Sequence, residues 1–395
     1  MRLDPVMSLS RPALLSCASC AGQTDANMRC AGCPTFFYCS RACQKADWRL
    51  GGHKRACKGL ARGHRDREAQ SRALARIALM SGGAPDDAHC MFCLGGSDAT
   101  DPILRGCACR GSSGWSHAGC LIRVAEAAPA MPPGEPTFTS WQSCSTCKQD
   151  FTGLVQLRLA IALWAKYEHL AETGCMRLAA ASAYALALET AGEHAEAARL
   201  QRGLLDVRTR TSGPEHHNTL TCASNLASAL LQLGEHAEAA EILRSTLAIE
   251  TRTLGADDLG TLTTSSSLVT ALFNLGEYAE AEVLGRRTLE NMRRVFGRDH
   301  FETLIASGKL AASLLEQGKH AEAVEINREV LVSMTRLLGA EHHIALYSAT
   351  NLAASLSWCG LHAEAEQILR DTLPLDRRTL GPTHELTQKI LQNLR

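Results

Sequence analysis

The chain has 395 residues, 45% of them hydrophobic, enough for roughly two to three domains with packed cores. Lysine plus arginine and aspartate plus glutamate both number 41, which excludes a chain-wide field of the kind that draws nucleic acid or an anionic membrane. There is no run of about 18 apolar residues, and the opening MRLDPVMSLSRPALLSC lacks an apolar signal core, so the expectation is a soluble intracellular protein, cytoplasmic or nuclear, with no membrane partner.

The cysteines are uneven. Of 17, fourteen fall before residue 148, leaving only Cys175, Cys222 and Cys359 beyond it. Clustered C-x2-C pairs in a reduced compartment point to zinc, because thiolate is the form that zinc binds. After a tail over 1–16, the first cluster offers Cys17 and Cys20, Cys30 and Cys33, Cys39 and Cys43, then His53 and Cys57. Eight ligands suit two tetrahedral ions. A segment of this size cannot bury enough apolar surface to fold alone, so coordination, on the order of 10–16 kcal/mol per structural zinc, must supply its stability.

These spacings, with FFYCSRACQKADW and the late histidine, resemble the MYND zinc finger over 17–57. The resemblance implies that Cys17, Cys20, Cys39 and Cys43 hold one zinc and Cys30, Cys33, His53 and Cys57 the other. Closed four-ligand sites leave no coordination position for substrate, so these ions are structural. It also implies docking of short proline-containing peptides near Gln44 and Trp48. The N-H-x-C signature of the methyltransferase domain that accompanies some MYND fingers is absent from the sequence.

Residues 58–86 form a basic connector. From Arg41 to Arg76 there are eleven Lys/Arg and three acidic residues. Good helix formers place Ala73, Leu74, Ile77 and Leu79 on one side of a predicted helix. Without interleaved aromatics this reads as a solvated face more readily than as a nucleic-acid site, and SGGAPDD ends it.

The second cluster, within 87–150, runs Cys90 and Cys93, Cys107 and Cys109, His117 and Cys120, then Cys144 and Cys147. The single-residue gap at 107–109, the seven-residue step to histidine and the long last loop resemble the RING-CH (RING-variant) finger. That resemblance implies a cross-brace, with Cys90, Cys93, His117 and Cys120 on one ion and Cys107, Cys109, Cys144 and Cys147 on the other; His89 is a bystander. A PHD finger is the competing reading, kept open by Trp141 three residues before Cys144. Ligases of the RING type hold a ubiquitin-conjugating enzyme and orient its thioester. Their apolar contact before the second cysteine is here Phe92 and their basic residue after the last ligand is Lys148. Their frequent tryptophan contact is here Val124, which removes a large anchor.

Beyond a capping helix in 151–176 a period appears. GEHAEA at 192 returns at 234, and as GEYAEA, GKHAEA and GLHAEA at 276, 318 and 360, steps of 42 residues. Five repeats fill 177–386, and 387–395 caps the end as half a repeat. Leu226, Leu268, Leu310 and Leu352 share a register on a first helix; Leu200, Ile242, Leu284, Ile326 and Ile368 share one on a second. Gly234, Gly276, Gly318 and Gly360 are expected to stop the first helix in the left-handed conformation, and the glycines of RTLG at 252 and 378 to stop the second in the same way. Such hairpins must stack into a solenoid to bury their apolar faces. The NLA, G-x-x-x-E-A and R-x-L-G landmarks resemble the kinesin-light-chain type of tetratricopeptide repeat. That resemblance implies peptide contacts from the concave wall, where Asn225 and Asn351 would clamp a peptide backbone. His216, His300, His342 and His384, with Asp258 between, read as loop packing.

The predicted fold class is mainly α: two small cross-brace zinc fingers followed by an α-solenoid of helix hairpins, carrying four structural Zn²⁺. Three functions follow as alternatives. The first is an interaction adaptor that recruits proteins or peptides through the repeats and the MYND finger. The second is a RING-CH-type ubiquitin ligase with the solenoid as substrate receptor. The third is chromatin association through the basic segment or a PHD-like finger.

Overall fold

The structure is a computed structural model that describes residues 88–97, 101–107, 109, 114–128 and 138–394, with short pieces at 15–16, 23–24, 70, 72–74 and 84 before them. Two strands, β1 (Leu15–Ser16) and β2 (Gln23–Thr24), pair antiparallel, Leu15 opposite Thr24. The chain divides into two compact units. One holds 1–132, 137–163 and 190–196, the other 133–136, 164–189 and 197–395.

In the first unit, β3 (Ile103–Leu104) pairs antiparallel with β4 (Ser116–His117), and β4 runs directly into α1 (Ala118–Glu126). Cys90, Ile103 and Cys120 form a small buried core with Trp115 packed on it. A short α2 (Thr139–Gln142) carries buried Trp141, and α3 begins at Gly153 and runs to Tyr167. The first part of α3 packs on the strand region. Thr152 N donates to Gly106 O at 2.8 Å, and Arg158 pairs with Asp101 at 3.5 Å. Only glycine fits at 106, since a Cβ there would lie 2.4 Å from the Cβ of Val155. Gln70, Arg72, Ala73 and Leu74 are helical in the basic connector; Ala73 is fully buried, and Arg72 pairs with Glu193 at 3.0 Å.

The second unit is the repeat array. Its helices are α4 (Cys175–Thr190), α5 (His194–Ser212), α6 (His217–Leu233), α7 (His236–Thr253), α8 (Leu259–Asn274), α9 (Tyr278–Phe296), α10 (Phe301–Glu316), α11 (His320–Leu338), α12 (His343–Trp358), α13 (His362–Thr379) and α14 (Glu385–Asn393). From α6 onward each helix packs on the next, and the first helices α6, α8, α10 and α12 also touch in series, giving a tetratricopeptide-like solenoid. Leu226, Leu268, Leu310 and Leu352 are 2–3% exposed and form its spine.

The second-helix register differs from expectation. Leu284 is buried, but Leu200, Ile242, Ile326 and Ile368 are only half-buried. The fully buried second-helix positions lie one residue later: Gln201, Leu243, Asn327 and Leu369, with helical Gly285 at the same post. The chemistry there varies from repeat to repeat, so periodicity in hydrophobic residues marks the neighbouring column instead.

The two glycine columns also differ. Gly234 caps α6 with φ 81 and ψ 7, the left-handed helical basin. Gly297 and Gly339, which follow the second helices α9 and α11, have φ 92 and 91 with ψ 165 and 154. The second helices therefore do not end as the first ones do. Their glycines occupy a region that is essentially closed to other residues, where a side chain would be strained even in open space.

The inter-hairpin histidines have a specific task. His216, His300, His342 and His384 each accept, through Nδ1, the backbone N–H two residues on, at 3.2–3.3 Å. Asp258 does the same for Gly260 N at 2.8 Å and Thr261 N at 3.3 Å. They are helix N-caps, satisfying donors that every first helix would otherwise leave unpaired.

Candidate functional site

The finger in the first unit brings its eight candidate ligands into two groups. Cys90, Cys93, His117 and Cys120 form one, and Cys107, Cys109, Cys144 and Cys147 the other, the ligand atoms within each lying within 4.8 Å of one another. Cys93 Sγ and Cys120 Sγ stand 3.3 and 3.8 Å from His117 Nδ1, and Cys109 Sγ stands 3.7 Å from Cys144 Sγ. Thiolates about 2.3 Å from a tetrahedral zinc sit roughly 3.8 Å apart, so the spacing fits that ion.

Local backbone geometry prepares the sulfurs. Both C-x2-C turns close identically: Leu94 N donates to Cys90 O at 2.8 Å, and Lys148 N to Cys144 O at 2.9 Å. The residue after each pair, Leu94 or Lys148, takes a left-handed φ of 59 or 60. Burial disfavours ionisation of Cys90, but backbone N–H groups of Cys93, His117 and Phe92 outweigh it and bring the thiol down to about 6. Cys144 likewise falls to about 6, with burial overcome by the N–H groups of Cys147 and Thr146. One thiol in each group is thus poised as the thiolate that a metal needs. His117 is oriented by its other nitrogen, Nε2, 3.0 Å from Gly96 O; donation there leaves Nδ1 facing the thiols. Arg123 donates to Cys120 Sγ at 3.1 Å, offsetting the negative charge of a three-thiolate site.

His89 is exposed and outside both groups. Phe92 and Val124, 39% and 42% exposed, line one small cleft with Met91, Leu121 and Phe151. Lys148 is exposed beside the second group. The MYND-finger residues Cys17, Cys20, Cys30, Cys33, Cys39, Cys43, Gln44, Trp48, His53 and Cys57 lie outside the described residues.

On the solenoid, a cavity of about 570 Å³ lies over the first helices α8, α10 and α12, with Asn327, Val330 and Met334 of α11 and Lys389 of α14 completing its lining. Asn351 lines it; Asn225 stands on the same register three repeats earlier and does not. Sequence reasoning missed this cavity and two sets of ion pairs. Arg202, Arg244, Arg286 and Arg328, 42 residues apart, each reach a glutamate of the next repeat's G-x-x-x-E-A landmark: Glu238, Glu280, Glu322 and Glu364. Within single repeats, the arginines Arg252, Arg294, Arg336 and Arg378 close on Glu215, Asp257, Asp299 and Glu341 at the start of the same hairpin. The signal was present as arginines and acids recurring with the same period. At the third junction Lys319 replaces the glutamate of Glu235 and Glu277 and pairs instead with Glu282 at 2.6 Å.

The fold and ligand groups define a zinc-finger protein with a helical-repeat array. Sequence models for three families match it: the MYND finger over 17–57, the RING-variant domain over 90–147, and the tetratricopeptide repeat over 177–252, 260–336 and 345–385. The chain therefore combines a MYND finger, a RING-variant domain and tetratricopeptide repeats. A curated relative, SET domain and MYND-type zinc finger protein 6 of Schizosaccharomyces pombe, is 44% identical over 45 residues, which are 11% of this chain and 9% of that protein. Among solved structures, TPR-like repeats from a Podosopora anserina protein described as a kinesin light chain are 25% identical, covering 54% of this chain and 99% of that one, TM-score 0.47. BtubC (BKLC) from P. vanneervenii is 18% identical over 58% of this chain and 92% of its own, TM-score 0.48. No helix among the described residues is long and apolar enough to cross a membrane.

Proposed function

We propose that the protein is a zinc-binding protein-interaction adaptor. The solenoid receives a peptide segment of a client on its concave wall, and the MYND finger recruits a second protein partner near Gln44 and Trp48. The observation that carries this reading is the cavity over α8, α10 and α12, lined mainly by apolar side chains with a few amides and ammonium groups among them. Four Zn²⁺ hold the two fingers, sixteen side chains in all, the second finger by the two groups described above. Asn351 serves the client's backbone, with Asn225 doing so further along the wall. Photo-crosslinking from position 351 in the full chain, followed by mass spectrometry of the adducts, tests the reading: crosslinks to discrete client peptides are expected, and crosslinks to solvent alone contradict it.

A ubiquitin-ligase activity is the second reading. It is favoured by the cleft that holds Phe92 and Val124 together beside the zinc ligands, an apolar surface of the kind that a conjugating enzyme would cover. Lys148 would then supply the basic contact. Autoubiquitination with a panel of conjugating enzymes separates the readings. Chains lost in Phe92→Ala establish the ligase, and no chains with any enzyme leave the adaptor.

A further inference from the structure

Resting on the adaptor reading, the repeats can be compared with one another, each serving as a control for the next. Along the concave stripe the first register reads Thr221, Thr263, Ile305, Tyr347. A second reads Ser228, Thr270, Ala312, Ala354, and a third Gln232, Asn274, Glu316, Trp358. The wall is hydroxyl- and amide-rich over α6 and α8, then becomes apolar and aromatic at Ile305, Ala312, Tyr347, Ala354 and Trp358 over α10 and α12, with exposed Glu316 the one charged member of these registers. Tyr347 and Trp358 are 53% and 68% exposed, although the equivalent positions two repeats earlier are polar. Loss of side-chain bulk opens the floor. Gly308 stands where α6 and α8 have Ser224 and Ser266, and a Cβ built on it meets nothing within 4 Å.

Charge completes the pattern. Lys309 and Lys389 line the cavity, and no carboxylate does. Lys309 Nζ donates to Ser266 O at 3.2 Å and to Ser266 Oγ at 3.0 Å, which fixes the ammonium and leaves one of its three N–H bonds for a ligand. An apolar occupant without an anion would desolvate that cation further, with only the electrostatic influence of Glu302, which does not line the cavity, to offset the cost.

We propose that this cavity is the specificity pocket of the concave wall, and that it takes an extended client segment with two apolar side chains flanking a carboxylate side chain. The apolar side chains fill the space above Gly308, Ala312 and Ala354. The carboxylate meets Lys309, with Lys389 at the rim. The chain continues over the polar wall of α8 and α6, where backbone contacts suffice and side-chain identity matters little.

The test uses the zinc-loaded full chain and fluorescein-labelled Gly-Ser-Leu-Glu-Leu-Gly-Ser, with Leu-Gln-Leu, Leu-Lys-Leu and Ser-Glu-Ser versions as controls and dodecanoate as an apolar carboxylate that is not a peptide. Fluorescence anisotropy is expected to rank Leu-Glu-Leu first, with each control weaker by roughly tenfold or more. Gly308→Leu, which fills open space and raises helix propensity, should abolish binding without lowering the melting temperature. Lys309→Met should remove the preference for Glu over Gln. Equal binding of Leu-Lys-Leu, unchanged affinity in Gly308→Leu, or binding of dodecanoate alone overturns the proposal. If only the Ser-Glu-Ser peptide binds, the pocket assignment falls while the adaptor reading stands. If no peptide binds at about 1 mM, the assignment falls and the crosslinking from position 351 decides the adaptor reading separately.

Discussion

Arg244 on α7 grips Glu280 on α9 with two nitrogens, Nε at 3.4 Å and a terminal amine at 3.1 Å, and the same terminal amine reaches Glu277 at 2.7 Å. This junction repeats along the array, so the G-x-x-x-E-A landmark is as much a stacking contact as a turn.

The side chains of the Arg244 junction are 44–55% exposed, which limits its value. Arg244→Met should lower stability by about 0.5–1 kcal/mol, less in high salt. Urea midpoints at two ionic strengths check this. An effect that ignores salt would assign the loss to packing of the arginine stem.

The N-cap column makes a sharper comparison. Asp258 accepts two backbone N–H groups where His300 accepts one. His300→Asp should raise the melting temperature, since a carboxylate also suits the positive end of a helix, and His300→Ala should cost about 1 kcal/mol. Thermal denaturation of the two variants beside the parent decides it.

Glu282 is 10% exposed and receives Lys319 at 2.6 Å and Arg286 at 2.9 Å. The bond from Lys319, then that from Arg286, lower its carboxyl from 4.5 to about 2 against the opposing effect of burial. A depressed carboxylate stabilises the fold fully above its unfolded value and loses that contribution as pH falls from about 4.5 to about 2. Glu282→Gln should therefore cost about 1–2 kcal/mol at neutral pH, a figure reduced for the solvent around both cations, and the gap from the parent should close at pH 2. Denaturant midpoints across that window measure it.

Gly297 offers a backbone test. Its φ of 92 with ψ 165 is open to glycine alone, yet a Cβ there has free space. Gly297→Ala should destabilise by about 1–3 kcal/mol through strain without any clash. An unchanged melting temperature would show that the loop shifts to absorb the side chain.

Much of the fold was legible because spacing encodes it. Cysteine intervals marked the two Cys/His groups that the structure brings together in the RING-variant domain, since chelation demands fixed residue types, and the 42-residue period marked the hairpins. The less legible parts depend on geometry that sequence does not spell out. Histidine is an unusual cap, so the column at 216, 300, 342 and 384 resembled loop filler until Nδ1 was seen facing a backbone N–H. The buried column of Gln201, Leu243, Gly285, Asn327 and Leu369 has no common polarity to recognise. The cavity arises from side chains that are absent, at Gly308 and Ala312, which no motif search scores.

Zinc content tests the central claim most directly. Native mass spectrometry of the full chain should give four zinc ions, falling by two when Cys90→Ser and Cys144→Ser are combined, with the helical signal of the repeats retained. Fewer than four in the parent, or no loss in the double variant, would contradict the claim that sixteen side chains hold the two fingers together.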